Sequence, residues 1–301
     1  MRVLVTGSRG FVGSWLVRHF ESSGDAVTGL DENADVTDAA LIREAVVGDS
    51  PDCIVHLAAL SSVGSSWGDS SRTYEVNTVG TANLLDAAAA CANPPRVLVV
   101  SSSEVYGWAG REALPAREEL PVRPLSPYAA SKAAAEIVAF QMFRSRKLEV
   151  IVARPFNHTG PGQTPAFVVP ALAEQVAKAI ASGTSTIKTG NLDVYRDISD
   201  VRDVVVAYRL LLENGRPGQI YNVCSGRSVS IRSVAERLID LAGLDISIDV
   251  DQQRVRPVDV PDLWGDPGRL AADCGWEPAY SLERTLGDVL DYWKGNWKGD
   301  T

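Results

Sequence analysis

Two residues four positions apart, Tyr128 and Lys132, have the types and the spacing to move a proton. They follow Ser126 and Pro127 in the segment Ser-Pro-Tyr-Ala-Ala-Ser-Lys. Proline is tolerated at the first helical position, so this segment predicts a helix with both side chains on one face. A lysine ammonium close to a phenol favours the phenolate and lowers its pKa from about 10. Tyr128 is therefore predicted to be a proton donor or acceptor, and Lys132 its charged partner.

A serine-rich segment precedes this pair, at the end of a strand predicted from Val97 to Ser101. Open α/β folds bind their ligands at the carboxyl ends of the strands. Ser102 is therefore predicted to hydrogen-bond the same substrate oxygen as Tyr128.

A glycine turn lies near the start of the chain. Gly7, Gly10 and Gly13 follow the apolar run Val3 to Val5 and open a helix predicted from Phe11 to Ser22, a context typical of dinucleotide binding. The first glycine allows the tight turn, the second brings the backbone close to a pyrophosphate, and the third lets the helix pack on the sheet. Free N–H groups at the start of the helix would hold the phosphate charge.

The second predicted strand ends at Asp31, where a carboxylate would bond the adenosine ribose hydroxyls. A carboxylate there repels a 2′-phosphate, and no Lys or Arg follows it up to Leu41. The sequence therefore favours NAD(H) as cofactor, with NADP(H) as the alternative. Asp35 and Val36 either border the adenine or belong to the cap of the helix predicted from Asp38.

The third predicted strand, Cys53 to Ala59, is almost continuously apolar, as expected of a parallel strand that is covered on both faces. Ala58 and Ala59 are small enough to let a cofactor lie across the strand end. We interpret His56 in this run as a core histidine. The following helix, predicted from Arg72 to Cys91, carries Asn77, whose amide could fix the geometry near a nicotinamide.

Strands and helices alternate through residue 154, where a fifth strand is predicted from Leu148 to Ala153. This pattern predicts a doubly wound parallel sheet of the Rossmann type, with a smaller C-terminal α/β domain for the substrate. We expect residues 1–157 to form the dinucleotide-binding domain and residues 158–301 mainly the second domain, with part of residues 190–225 returning to the first.

Composition restricts the classes of partner. The chain has 301 residues, of which 45% are hydrophobic, and a formal net charge of −9. The charge argues against nucleic acid, and no apolar run approaches the roughly 18 residues of a membrane span. The chain enters a strand at once without a visible export signal, so we expect a cytoplasmic protein. The cysteines are interpreted as buried free thiols, and no metal site is predicted. They are Cys53, Cys91, Cys224 and Cys274.

Taken together, the glycine turn, Asp31, the segment His56 to Ala59, Asn77, Ser102 and the Tyr128–Lys132 pair resemble the extended short-chain dehydrogenase/reductase family that modifies nucleotide sugars. Three later segments most resemble the GDP-4-keto-6-deoxymannose reductases within that family. They are Arg-Pro-Phe-Asn-His-Thr-Gly-Pro-Gly-Gln at 154–163, Arg-Asp-Ile-Ser-Asp-Val-Arg-Asp at 196–203 and Tyr-Asn-Val-Cys-Ser-Gly at 221–226.

The resemblance implies an enzyme that reduces the C4 ketone of GDP-4-keto-6-deoxy-D-mannose to GDP-D-rhamnose with NAD(P)H. Ser102, Glu104, Tyr128 and Lys132 are the expected catalytic residues. Glu104 matches the glutamate with which related dehydratases eliminate water, so a GDP-mannose 4,6-dehydratase or another nucleotide-sugar 4-epimerase or dehydratase is the alternative. A non-catalytic NAD-binding sensor is a remoter one. The family also implies a homodimer through the helices Arg72–Cys91 and Tyr128–Arg146.

The expected cofactor site comprises Gly7, Gly10, Phe11, Val12, Gly13, Asp31, Asp35, Val36, Leu57, Ala58, Ala59, Asn77, Tyr128, Lys132 and Pro155. The expected substrate site comprises Ser102, Asn157, Lys178, Arg196 and Arg256. The two arginines are the expected clamps for the diphosphate, because a guanidinium can bind phosphate through two hydrogen bonds.

Overall fold

The structure is a computed structural model that describes residues 1–31, 34–251 and 260–296. Its strands are β1 (Arg2–Thr6), β2 (Ala26–Leu30), β3 (Cys53–His56), β4 (Arg96–Val100), β5 (Val150–Pro155), β6 (Asn157–Thr159), β7 (Thr186–Thr189), β8 (Tyr195–Arg196), β9 (Ile198–Asp200), β10 (Ile220–Val223), β11 (Val229–Ser230), β12 (Ser247–Val250) and β13 (Asp262–Leu263).

Its α-helices are α1 (Phe11–Ser22), α2 (Ala39–Asp49), α3 (Val63–Ser66), α4 (Ser70–Tyr74), α5 (Gly80–Ala89), α6 (Pro127–Arg146), α7 (Val168–Ser182), α8 (Val201–Asn214), α9 (Ile231–Ala242), α10 (Gly268–Cys274) and α11 (Leu282–Asn296). A π-helical turn, Glu75–Val79, joins α4 to α5, and short 3-10 turns span Ser103–Tyr106 and Arg111–Ala113.

Six parallel strands form the central sheet in the order β10-β5-β4-β3-β1-β2. Side chains alternate between its two faces, so Val3 and Val5 of β1 pack with α1 and α8 while Leu4 packs with α2 and α5. Helices on both faces confirm the predicted doubly wound sheet. The register pairs His56 with Thr6 and with Val99, which brings the carboxyl ends of β1, β3 and β4 to one edge.

A second hydrophobic core lies in the later part of the chain, where α7, α9 and α11 pack around β7 and β12. Not all of residues 158–301 belong to it. Strand β10 joins the central sheet, and Tyr208 of α8 and Trp276 are part of the first core. The boundary after residue 157 stays a prediction.

Element ends differ from the predictions where a distant partner decides them. Strand β5 continues to Pro155, beyond the predicted end at Ala153, because β10 pairs with it as far as Val223. Strand β3 stops at His56, since β1 ends at Thr6 and turns into the glycine loop. The helix predicted from Arg72 to Cys91 is α4, the π-helical turn and α5.

A buried ion pair fastens α6 to the sheet. Arg154 of β5 donates from Nη2 to Glu136 Oε2 (2.6 Å) and from Nε to Glu136 Oε1 (2.8 Å), and both side chains are buried. Ser101, just after β4, donates its hydroxyl to Glu136 Oε1 (2.5 Å). The pair therefore sets the position of α6 relative to two strand ends at once.

Candidate active site

A cleft of about 940 Å³ opens at the carboxyl edge of the sheet. The glycine turn, the residues that follow β2, β3 and β4, and one face of α6 line it. The predicted residues that line it are Gly7, Gly10, Phe11, Val12, Gly13, Asp31, Asp35, Val36, Leu57, Ala58, Ala59, Ser102, Glu104, Tyr128, Lys132, Pro155 and Asn157.

Helix α6 begins as the sequence predicts. Pro127 occupies its first turn, and the Ser126 side chain caps it by accepting a hydrogen bond from Ala129 N (3.1 Å). Tyr128 and Lys132 consequently lie on the face that lines the cleft, and both are buried. Ser102 hydrogen-bonds the Tyr128 phenol from the strand side. Three of the four predicted catalytic residues are thus brought together, and the fourth, Glu104, lines the same cleft.

Burial, rather than the lysine, controls the Tyr128 phenol. Burial raises its pKa to about 12, the nearby Glu104 carboxylate raises it further, and the hydrogen bond from Ser102 opposes both. The predicted lowering of this pKa by Lys132 is therefore wrong for this structure. Lys132 instead donates from Nζ to the Val100 carbonyl (2.8 Å), and no effect of its charge on the phenol is resolved.

Lys132 is itself strongly influenced by its surroundings. Burial lowers its pKa to about 8, and the Glu136 carboxylate, one helical turn further along α6, acts to raise it. Near pH 7 the cleft accordingly holds both a protonated phenol and a largely protonated amine. This combination is suited to giving a proton to a substrate oxygen.

The glycine turn has no room for larger residues. Gly7 has a φ of +71°, and a Cβ atom there would lie 3.0 Å from the Ala58 nitrogen. A Cβ atom at Gly13 would lie 2.1 Å from the Gly7 carbonyl oxygen. Helix α1 then starts at Phe11 after Gly10, and no side chain among the described residues caps it. The turn thus offers a helix start at the cleft wall, which fits a pyrophosphate.

Asp31, the predicted ribose ligand, follows the edge strand β2, whereas Ser102 follows β4, so the two line opposite ends of the cleft. Asp31 accepts hydrogen bonds from the Ser8 hydroxyl and from Arg9 N (2.8 Å). The Arg9 guanidinium, 83% exposed, has its Nε 3.7 Å from Asp31 Oδ2 and lines the cleft. Sequence reasoning missed Arg9, because it considered only the residues that follow Asp31 and not those brought there by the turn.

Asp35 and Val36 also line this end of the cleft. Asp35 accepts from Thr37 N and Oγ1 and pairs with Arg72 (3.0 Å), and these contacts lower its pKa to about 2. The helix cap that was the alternative for this segment is made by Asp38, which accepts from the first N–H groups of α2.

Asn77 does not line the cleft and needs correction as a cofactor ligand. Its amide is engaged with protein groups, since Oδ1 accepts from Leu60 N (2.8 Å) and Nδ2 donates to Leu60 O (3.1 Å) and Ser131 Oγ (2.9 Å). Ser131 in turn donates to the Tyr128 carbonyl (2.8 Å). Asn77 therefore positions α6 and the loop after β3.

The predicted substrate ligands are only partly assembled. Asn157 lines the cleft, whereas Lys178 is an exposed residue of α7 away from the cleft lining. Arg196 is buried and donates from Nη1 to the carbonyls of Tyr195 (2.8 Å) and Val260 (2.7 Å). It does not line the cleft, so the structure does not support its predicted role as a diphosphate clamp. Arg256 lies outside the described residues.

Further cleft residues come from segments that the family resemblance had marked without assigning roles. His158 is half-buried, stacks on Phe11 with ring centroids 6.4 Å apart, and has its Nδ1 2.9 Å from the Phe156 carbonyl oxygen. Gln163 and Phe167 follow it in the cleft wall. The signal for His158 and Gln163 in the sequence was the Asn-His-Thr-Gly-Pro-Gly-Gln stretch, which does not include Phe167.

His56 is a core histidine, as interpreted. It lies between Thr6 Oγ1 (2.8 Å) and Thr81 Oγ1 (3.0 Å), and burial lowers its pKa to about 3. The four cysteines are buried free thiols, which confirms the interpretation. Among the described residues, no group of three or more His, Cys, Asp or Glu side chains could hold a metal ion, and no helix combines the length and apolar character needed to cross a bilayer.

Comparison with known proteins decides the family. The family model described as GDP-mannose 4,6 dehydratase matches residues 32–289. The chain belongs to this family. The family recognised from the sequence, the extended short-chain dehydrogenases/reductases of the epimerase/dehydratase type, is thereby confirmed, and with it an enzyme of the nicotinamide-dependent, nucleotide-sugar-modifying type.

Individual relatives match over nearly the whole chain. A GDP-6-deoxy-D-mannose reductase of Pseudomonas aeruginosa is 36% identical, with 97% of each chain covered. A GDP-6-deoxy-D-talose 4-dehydrogenase of Aggregatibacter actinomycetemcomitans is 33% identical, with 95% of each covered.

Solved structures give the same result. The structure of RMD from Pseudomonas aeruginosa, complexed with NADPH, superposes with a TM-score of 0.92 at 35% identity and covers 98% of this chain and 99% of that one. The UDP-glucose 4-epimerase of Thermus thermophilus, complexed with NAD, gives a TM-score of 0.89 at 31% identity, with 99% and 100% covered. An NAD(P)H cofactor is thus common to the structural neighbours, as expected from the sequence.

We predict that Gly13→Ala lowers both the melting temperature and the affinity for NAD(P)H, because its Cβ atom would collide with the Gly7 carbonyl oxygen. Thermal unfolding and fluorescence titration with the reduced cofactor measure the two effects. Gly48→Ala is the matched control: it lies within α2, has no heavy atom within 4 Å of the new Cβ, and should leave binding unchanged while raising stability by roughly 0.5–1 kcal/mol. Equal behaviour of the two variants would contradict the steric argument.

Proposed function

We propose that this chain reduces the C4 ketone of GDP-4-keto-6-deoxy-D-mannose to GDP-D-rhamnose with NAD(P)H. The observation that carries the proposal is the convergence of Ser102, Tyr128 and Lys132 in the cleft that the glycine turn also lines. The reductase named among the relatives supports the choice of substrate.

The cofactor, when bound, supplies the hydride for the ketone carbon. Tyr128 gives its phenolic proton to the ketone oxygen, and Ser102 hydrogen-bonds the same oxygen and polarises the carbonyl. Lys132, a cation near pH 7 that donates to the Val100 carbonyl in the same cleft, would contact the cofactor ribose. A phenol whose pKa is raised to about 12 is a proton donor at neutral pH, which supports the reductive direction.

A 4,6-dehydratase is the second candidate, and Glu104 is the observation that favours it. The side chain lines the cleft, and its carboxylate helps to raise the pKa of the Tyr128 phenol. A dehydratase would convert GDP-mannose into a product lighter by one water with no net change in cofactor. A nucleotide-sugar 4-epimerase would retain NAD and give a product of unchanged mass.

A panel of GDP-, UDP- and dTDP-linked sugars and 4-keto sugars tests these alternatives, followed by absorbance of the reduced nicotinamide and by product mass. We expect cofactor oxidation with GDP-4-keto-6-deoxymannose and a product heavier by two hydrogens. Turnover of GDP-mannose without cofactor change would instead favour the dehydratase.

Tyr128→Phe should lower kcat by roughly 100- to 10,000-fold, because the proton donor is lost. Cofactor affinity should persist, which a titration of nicotinamide fluorescence checks.

In the wild type, kcat should fall as the pH rises through about 8, since the Lys132 cation is present below that pKa and is lost above it. Full activity of the Tyr128 variant, or a kcat that rises with pH over this range, would rule out the proton-transfer roles.

The choice between NAD(H) and NADP(H) depends on Arg9 and Asp31. The preference for NAD(H) stays a prediction from Asp31, but the Arg9 guanidinium beside it offers a positive charge to a 2′-phosphate. The NADPH complex among the structural neighbours supports such a use. We therefore propose that the cleft accepts both cofactors.

Arg9→Ala should weaken NADPH binding by roughly tenfold and NADH binding by less than about twofold, because only the former carries the 2′-phosphate. Fluorescence titration gives both dissociation constants. Arg18→Ala is the control, since Arg18 lies on α1 over the Trp15 ring and away from the cleft lining. An equal loss for both cofactors would show that Arg9 does not read the 2′-phosphate.

We also propose a cytoplasmic homodimer, as the family implies. Exposed apolar side chains on the expected helices support the interface. Ile137 of α6 is 71% exposed, Val79 of the π-helical turn is 48% exposed, and Tyr74 of α4 is 40% exposed. Large apolar side chains that are this exposed on neighbouring elements favour a protein interface there.

Ile137→Glu should convert the dimer to monomer, because it places a carboxylate in the proposed interface. Light scattering coupled to size exclusion gives the mass directly. Leu241→Glu, on α9 and 48% exposed, should leave the dimer intact. A monomeric wild type at micromolar concentration would overturn the proposal.

The roles of Asn157, Lys178, Arg196 and Arg256 in substrate binding stay predictions. Asn157 has the support of its position in the cleft. The segment that contains Arg256 precedes Val260, whose carbonyl engages Arg196.

A further inference from the structure

The hydroxyl of Tyr208, a residue that lines the cleft, has no hydrogen-bond partner among the described residues. Tyr208 belongs to α8, is completely buried, and lines the same cleft as Tyr128 and the glycine turn. A buried hydroxyl without a hydrogen bond costs free energy, so most such groups in proteins are paired. The position of this hydroxyl points to a ligand group.

The location of Tyr208 within the cleft restricts which part of a ligand can reach it. Val100 packs against the core cluster that contains Tyr208, and its carbonyl accepts a hydrogen bond from Lys132 at the proposed reacting end of the cleft. Asp31 and Asp35 mark the other end, where the adenosine is expected. A group that reaches Tyr208 therefore belongs to the nicotinamide half of the dinucleotide.

The surroundings of Tyr208 are apolar, which restricts the chemical class of the ligand group further. Tyr208 is part of the first hydrophobic core, against which Leu57 and Val100 pack, and both of these side chains also line the cleft. Burial raises the pKa of its phenol, so the hydroxyl stays neutral and can both donate and accept. A flat ring that carries an uncharged amide matches a floor of this kind better than a phosphate does.

We propose that the Tyr208 hydroxyl hydrogen-bonds the carboxamide of the nicotinamide and thereby positions the ring on the floor formed by Leu57 and Val100. Tyr208 is then a cofactor-positioning residue. This inference rests on the proposed use of NAD(P)H.

Tyr208→Phe tests the inference, because it removes only the hydroxyl. We expect the variant to bind NADPH roughly tenfold more weakly, as for one lost buried hydrogen bond. Binding of 2′-phospho-ADP-ribose, which lacks the nicotinamide, should not change. Without ligand the variant should melt at the same temperature as the wild type or higher, since an unpaired buried hydroxyl has been removed.

Tyr221→Phe is the matched control. Tyr221 is also completely buried, but its hydroxyl donates to Asp273 Oδ2 (2.8 Å) and accepts from Arg216 N (2.9 Å). Its loss should lower the melting temperature and leave NADPH affinity unchanged. The two variants are thus expected to have opposite signatures in stability and binding.

Each other outcome has a defined meaning. Unchanged NADPH affinity in the Tyr208 variant overturns the inference, as does an equal loss for NADPH and 2′-phospho-ADP-ribose, which would assign the hydroxyl to the ribose or diphosphate. Failure of the wild-type protein to bind either NADPH or NADH would contradict the proposed function itself.

Discussion

The buried pair of Arg154 and Glu136 is the interaction on which the geometry of the cleft depends. It joins β5 to α6, takes a third hydrogen bond from Ser101 after β4, and stacks its guanidinium 4.7 Å from the centroid of the Tyr106 ring. Breaking such a pair leaves one buried charge uncompensated, which strongly disfavours any other arrangement. Because Lys132 lies one turn before Glu136 and Ser102 directly follows Ser101, the same pair positions two of the proposed catalytic residues.

Burial gives these groups their chemical character. It raises the pKa of Tyr128 to about 12 and lowers that of Lys132 to about 8, so the same cleft holds a neutral acid and a cation at physiological pH. The sequence-based expectation of a lowered phenol pKa treated the lysine charge as dominant. In the folded chain the lysine donates to the Val100 carbonyl, and removal of the phenol from water outweighs the other effects.

An acidic protein can bind a negatively charged cofactor because the favourable charges are local. The net charge is −9, yet the start of α1 and the Arg9 guanidinium both lie at the cleft. Asp31 is nearby with both oxygens engaged by Ser8 and Arg9, so its repulsion of an anion is partly offset. Such an arrangement would allow the proposed ribose-binding carboxylate to coexist with a 2′-phosphate.

The sequence by itself determined the sheet class, the glycine turn, the helix that begins at Pro127, and the pairing of Tyr128 with Lys132, because these follow from local periodicity, capping and spacing. It also placed most of the residues that line the cleft, through motifs whose order along the chain matches the strand ends. Only the tertiary structure decided that Arg9 meets Asp31, that Asn77 is engaged with Leu60 and Ser131, that Arg196 is enclosed by backbone carbonyls, and that Tyr208 reaches the cleft. These four placements depend on contacts between residues far apart in the chain and on the exclusion of water by packing. Local sequence patterns do not determine either.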